Sequence, residues 1–143
     1  RNEQPWKPPF TPFLLQTRSI DWLVATTPDD GIVGFAYAAK HRERAAYRWA
    51  CDTSVYLAPV AQGHGLGRAL YAALIERLAA RGYRMLCAGV ALPNDASVGL
   101  HRAVGFVDVG TYRAIGFKDG RWVDTLWLQR PLGGDGPPTR EPG

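Results

Sequence analysis

Val55-Tyr56-Leu57-Ala58-Pro59-Val60-Ala61-Gln62-Gly63-His64-Gly65-Leu66-Gly67-Arg68 decides the fold of this chain. The stretch leaves an apolar, β-branched run, crosses a loop rich in glycine, and enters a segment of helical period. Leu66, Leu70, Leu74 and Leu78 recur every fourth residue, and Gly82 stands where such a helix would stop. A strand that feeds a glycine loop at a helix N-terminus can turn several backbone N–H groups toward one point. The helix dipole adds partial positive charge there, so the arrangement suits a pyrophosphate. Gly65 and Gly67 lack Cβ atoms, which lets a phosphate approach the backbone. Taken alone, the loop fits a plain turn nearly as well. No Gly-Lys-Ser/Thr follows, which excludes a P-loop nucleotidase. The glycine spacing also fails the dinucleotide fingerprint.

Upstream, Trp22–Thr26 and Ile32–Tyr37 are β-rich runs around the turn signal Asp29-Asp30-Gly31, which predicts a hairpin. His41–Arg44 is charged and loop-like, and Tyr47–Leu57 is a third strand. Downstream, Tyr83–Leu92 is a fourth strand. Asn94 or Asp95 caps a second helix whose inner face is Val98, His101 and Val104. Val107–Ala114 and Trp122–Leu128 are the last strands. The order β-β-β-α-β-α-β-β is a mixed α/β layout, with a folded domain over 21–132. Residues 1–20 hold proline after proline and are expected to be irregular, and 133–143 is expected to be a disordered tail.

At 143 residues the chain is one domain's length. Hydrophobic residues at 46% and charged residues at 21% exclude an intrinsically disordered chain. No apolar run reaches the ~20 residues of a membrane helix, and nothing reads as a signal peptide, so the expected compartment is the cytoplasm. Cys51 and Cys87 sit in apolar runs without metal-ligand spacing, which predicts buried free thiols and no metal. The net charge of +4 is spread along the chain. It suits an anionic small ligand and argues against nucleic acid. The chain opens at Arg1 with a single methionine, Met85, and is expected to be a processed or truncated piece.

Gln62-x-x-Gly65-x-Gly67 at a strand-to-helix junction resembles the acetyl-CoA loop of the GCN5-related N-acetyltransferase (GNAT) superfamily. Asn94-x-x-Ser97-x-x-x-His101-x-x-x-Gly105-Phe106 resembles a second feature of that superfamily. Four longer strings are similar to the phosphinothricin and methionine sulfoximine or methionine sulfone acetyltransferases. They are Ile32–Tyr37, the Tyr47-x-Trp49-x-x-Asp52-x-Ser54-Val55-Tyr56 segment, Leu92-Pro93-Asn94-Asp95-x-Ser97-Val98, and Arg113-Ala114-x-Gly116-Phe117-Lys118-x-Gly120-x-Trp122-x-Asp124.

The resemblance implies acetyl transfer from acetyl-CoA to the α-amino group of a small amino acid, an activity associated with herbicide or antibiotic resistance. It implies a homodimer and no membrane or nucleic-acid partner. Val55, Tyr56, Leu57, Gln62, Gly63, His64, Gly65, Leu66, Gly67, Arg68, Asn94 and Ser97 would bind the cofactor. Asp52 takes the position of the base that frees the amine of a proton. Glutamate is usual there, and aspartate is shorter by about 1.5 Å, so a bridging water is expected. Backbone amides of 55–57 would meet the oxyanion. His101 takes the place of the residue that protonates the leaving thiolate. Arg44 and Lys118 are candidate substrate contacts, since guanidinium and ammonium groups match acidic substrates, and Tyr47 is a candidate wall of the same substrate site. Arg42 reads as part of a solvated basic loop.

The family begins with a strand and helices that residues 1–20 do not resemble. The first strand and helices are therefore expected to be missing, leaving the edge at Trp22 open to another chain. The alternatives are a non-catalytic acetyl-CoA-binding remnant and a GNAT enzyme acting on a protein N-terminus or a polyamine. The acidic pocket a polyamine needs is not evident.

Overall fold

The computed structural model describes Thr11, Pro12 and residues 19–143. Seven strands form one sheet: β1 (Thr11–Pro12), β2 (Ser19–Thr27), β3 (Gly31–Lys40), β4 (Ala50–Leu57), β5 (Met85–Ala91), β6 (Val107–Lys118) and β7 (Arg121–Pro131). Helix α1 (Leu66–Ala80) follows β4, and α2 (Asp95–Ala103) follows β5. The spatial order is β1-β2-β3-β4-β5-β7-β6. Every pairing is antiparallel except β4 with β5.

The parallel pair matters most for the site. It is short, running only over Ala50↔Met85, Cys51↔Leu86 and Asp52↔Cys87. Beyond Asp52 the two strands part, while β4 stays paired to β3 as far as Leu57. Among the described residues the β5-facing edge of 53–57 has no strand partner, so alternate backbone N–H groups there lie open.

The expected periodicities place the core. Leu66, Leu70, Tyr71, Leu74 and Leu78 are 0% exposed, and α1 packs across β2, β3 and β4. Each buried leucine contributes about 1.5–3 kcal/mol of transfer free energy. From the strands, Ala36, Ala38, Cys51, Leu86 and Ala88 join this layer. Period-two alternation sends Asp52 and Cys87 to the opposite face, where Trp22, Phe35, Tyr37 and Tyr56 form a row of contacting rings.

One buried charge ties the first long strand to α1. Asp21 is 0% exposed and accepts from Arg77 Nε at 2.7 Å and Nη2 at 3.1 Å, with Arg81 Nη1 at 3.7 Å. The sequence offered no sign of this pairing, which spans 56 positions.

Several expectations shift. The strand expected from Tyr47 begins at Ala50, because Ala45–Tyr47 makes a 3₁₀ turn first. The last two strands run past their expected ends at Ala114 and Trp122 and leave only Asp119-Gly120 between them, whose φ angles of 52° and 77° fit a tight two-residue hairpin turn. The edge expected to lie open is paired with Thr11–Pro12 at Val24 and Leu23. The rest of the irregular segment over 1–20 falls largely outside the described residues. Residues 133–143 carry no helix or strand, yet Trp49 Nε1 donates to the Arg140 carbonyl at 2.9 Å and Gly143 N to the Arg81 carbonyl at 2.9 Å.

Candidate functional site

A cavity of about 520 Å³ opens where β4 ends and both helices begin. Val55, Tyr56 and Leu57 form one wall, Gln62, Gly63, Gly65, Gly67 and Arg68 a second, and Asn94 and Ser97 belong to a third. Gly65 holds φ +80° as the residue preceding α1, and a Cβ there would meet only open space. The turn therefore needs glycine for its backbone angle, and it leaves the first N–H groups of α1 uncovered. Gln62 Nε2 donates to the Leu57 carbonyl at 3.2 Å and braces the loop. Asn94 caps α2 by accepting from Ser97 N at 3.1 Å.

These donors fit a phosphorylated, amide-bearing ligand. A helix N-terminus, a strand edge unpaired among the described residues, and Arg68 all border this one space. The match to the sequence expectation is not complete. Leu66 is fully buried beneath the loop, and His64 is absent from the cavity wall. Gly67 is small for a different reason than expected. A Cβ there would stand 2.9 Å from Leu100 Cδ2, so this glycine lets α1 and α2 approach each other.

His101 is the clearest correction. It is 3% exposed, and both ring nitrogens are engaged inside the protein. Nδ1 donates to the Ser97 carbonyl at 2.7 Å, which leaves Nε2 to accept from the Tyr71 hydroxyl at 2.7 Å. Tyr71 in turn accepts from Thr53 at 2.9 Å. The chain Thr53–Tyr71–His101–Ser97 pins β4, α1 and α2 together beside the cavity. Burial pushes the imidazole pKa down and the Tyr71 phenol up. In this arrangement neither ring nitrogen is directed to a thiolate, and the bonds that His101 makes serve the packing of β4, α1 and α2.

Asp52 lies at the last paired position of the fork, half-buried, with Oδ1 2.6 Å from His41 Nδ1. Cys87 completes a cluster whose His, Asp and Cys donor atoms lie within 4.8 Å of one another. Burial raises the Cys87 thiol pKa and Asp52 raises it further, so this thiol stays protonated. Cys51, deeper in the core, is pushed up to about 12. Both cysteines are free; Cys51 is buried as expected, whereas Cys87 is only partly buried and lines a cavity.

A second cavity of about 370 Å³ sits on this face, lined by His41, Arg42, Cys87, Tyr112 and Trp127 among others. Trp127 Nε1 is buried without an acceptor among the described residues. Arg42, read as solvated from the sequence, belongs to this wall. Arg44, Tyr47 and Lys118 do not: all three are exposed, and Lys118 ends β6 beside the Asp119-Gly120 turn. His41 went unnoticed because its partner is 11 positions away on a neighbouring strand. The hairpin string has a structural cause. The Asp124 carboxylate accepts from Ala114 N at 2.8 Å and faces Arg113 at 3.7 Å, which holds a bulge in β6.

Comparison with known proteins agrees with this geometry. The model of the family described as an acetyltransferase (GNAT) domain matches residues 13–127. A phosphinothricin N-acetyltransferase of Alcaligenes faecalis is 47% identical over 114 residues, covering 79% of this chain and 57% of its own. An L-methionine sulfoximine/L-methionine sulfone acetyltransferase of Salmonella typhimurium is 34% identical over 110 residues, covering 76% of this chain and 64% of its own. Among solved structures, a phosphinothricin acetyltransferase from Sinorhizobium meliloti in complex with AcCoA superposes with a TM-score of 0.78 at 42% identity. That match covers 83% of this chain and 65% of the other. The chain thus spans less than two thirds of the length of each of these three proteins.

Proposed function

The chain belongs to the GNAT acetyltransferase family, and from that premise we propose that it moves an acetyl group from acetyl-CoA to the α-amino group of a small amino acid. The substrate is of the phosphinothricin, methionine sulfoximine or methionine sulfone type, with residues 21–132 as the working domain. The observation that carries this reading is the fork at Asp52. A cavity with phosphate-binding character lies on one side of it, and on the other lies a cavity lined by Arg42 and by His41, whose imidazole is paired with Asp52.

Bound acetyl-CoA would supply its acetyl group as a thioester. The uncovered N–H groups at the start of α1 and Arg68 hold its phosphates. Asn94 and Ser97 flank the pantetheine arm. Free N–H groups on the β5-facing edge of 53–57 receive the negative charge that develops on the carbonyl oxygen. On the far face, Arg42 meets the acidic group of the amino acid, and the indole N–H of Trp127 gains an acceptor. An ammonium group cannot attack, so it first gives up a proton to the carboxylate side of the fork at Asp52.

The working unit is a homodimer in the cytoplasm. Supporting the dimer, the outer strand β6 and its hairpin partner expose Val109, Ile115, Phe117 and Trp122 at 59–63%. An edge strand with that much apolar surface favours a second chain. No helix among the described residues is long and apolar enough to cross a membrane.

Release of CoA thiol with a panel of phosphinothricin, methionine sulfoximine, methionine sulfone and methionine tests the reading. Turnover with at least one is expected. Binding of acetyl-CoA without turnover on any of them would replace the enzyme by a binding remnant.

A further inference from the structure

We propose that the atom which takes the substrate's proton is Nε2 of His41, with Asp52 as the group that orients and charges the imidazole. The inference rests on the acetyl-transfer reading above and goes beyond it. Three observations carry it.

The first is geometric. Asp52 Oδ1 is 2.6 Å from His41 Nδ1, a short contact of charge-assisted length. A carboxylate only accepts, so Nδ1 carries the hydrogen and Nε2 keeps its lone pair. Among the described residues nothing hydrogen-bonds Nε2, in contrast to His101. The second is location. His41 lines the second cavity whereas Asp52 is not on its wall, so it is the histidine, not the carboxylate, that borders the space for an amine. The third is reach. Aspartate is about 1.5 Å shorter than the glutamate the resemblance led us to expect. An imidazole bonded to it extends the base into the cavity and replaces the bridging water.

The groups facing His41 are compatible with this role. Asp52 stabilises the imidazolium once formed. Cys87 stays a neutral thiol. Arg42 donates to the His41 carbonyl at 2.8 Å, fixing the turn that presents the ring, and Tyr112 stands across the cavity. Lys40 and Glu43 pair with each other at 3.8 Å, at the surface.

The step balances without a further reagent. The amine nitrogen bonds to the carbonyl carbon and the C–S bond breaks, its electron pair leaving on sulfur. Of the two protons the ammonium loses, one passes to Nε2 and then to water over the exposed edge of the ring. The other ends on the thiolate. The arrangement is the orienting logic of an Asp–His pair, reached here from a sheet fork.

The test compares wild type, His41→Gln and His41→Ala by CoA-thiol release across pH 5–9, with and without added imidazole. We expect kcat to fall about 10²-fold or more in both variants, with KM for acetyl-CoA within about 2-fold. We also expect the acid limb of the profile to disappear, and 50–100 mM imidazole (roughly that range, chosen to saturate a small hole) to restore part of the rate in His41→Ala alone. Variants within about 3-fold of wild type at every pH, or losses that imidazole leaves untouched in His41→Ala, would return the proton to Asp52 and overturn the inference. A wild type that releases no CoA thiol would overturn the acetyl-transfer reading itself, and the base assignment with it.

Discussion

His41 and His101 teach opposite lessons about the same side chain. His101 sits in a family-like spacing on a helix and draws attention in the sequence. The fold buries it to 3% exposure and uses both nitrogens for internal bonds. His41 sits in a charged stretch that reads as loop. The fold turns it onto Asp52 and places the residue on a cavity wall, with no hydrogen bond to its second nitrogen among the described residues. A histidine does chemistry when one nitrogen is free and the other is held. It does structure when both are held. Spacing along the chain cannot report which of these applies, because the partners come from other elements.

The contrast can be broken by experiment, and the largest effect is expected at the fork. Asp52→Ala should lower kcat by about 10²-fold or more, since the imidazole loses its orienting charge. It should leave acetyl-CoA affinity within about 2-fold, measured by calorimetry. If affinity falls and kcat holds, Asp52 serves the cofactor site and the division between the two faces fails.

Next come the stability effects. Arg77→Ala removes both guanidinium hydrogen bonds from the buried Asp21 carboxylate, which keeps the Trp22 N–H at 2.9 Å and Arg81 at 3.7 Å. Loss of one partner of a buried pair costs about 3–5 kcal/mol, read by urea unfolding. Tyr71→Phe strips the hydroxyl that joins Thr53 to His101. Two buried groups then lack partners, at a cost of about 1–3 kcal/mol, and kcat should fall far less than in His41→Gln. Equal kinetic losses in Tyr71→Phe and His41→Gln would erase the distinction between the two histidines.

Acid sensitivity sharpens the same contrast. Burial lowers the His101 pKa below its ordinary 6.5, so the unfolded chain binds a proton that the native chain refuses. Stability is then complete above about pH 6.5 and drains away as pH falls from there toward the native pKa. The Tm should drop between pH 7 and pH 5, and His101→Gln should flatten that slope even though it lowers the Tm overall. An unchanged slope would mean that carboxylates, not His101, govern acid unfolding.

The smallest effects belong to the loop. Gly65→Ala forces a Cβ onto φ +80°, costing about 1–2 kcal/mol. It should also weaken acetyl-CoA binding, because the uncovered N–H groups shift. Gly67→Ala meets Leu100 instead. It should cost about 1 kcal/mol of stability with little change in affinity. A swap of these two outcomes would invert the roles assigned to the glycines.

Much of this architecture was legible in residue order. The period-four leucines announced α1, the alternating runs announced the long strands, and Gln62-x-x-Gly65-x-Gly67 marked one wall of the first cavity. Each signal is local: a backbone period, a cap or a turn is specified within a few residues, so a linear reading suffices. The resemblance in the sequence likewise pointed to the family that residues 13–127 match.

Three decisions belong to the tertiary structure. It stops the parallel pairing of β4 and β5 at Asp52↔Cys87, which opens the fork. It turns Asp21 onto Arg77, and it brings the donor atoms of His41, Asp52 and Cys87 within 4.8 Å of one another. Strand register and sheet order create these contacts between residues that sequence separates. A one-residue slip of β4 would send Asp52 into the core and Cys51 to the cavity face. The residue types for the chemistry were present in the chain from the start. Which of them meets the core and which meets the second cavity is decided by the side of the sheet that each one faces.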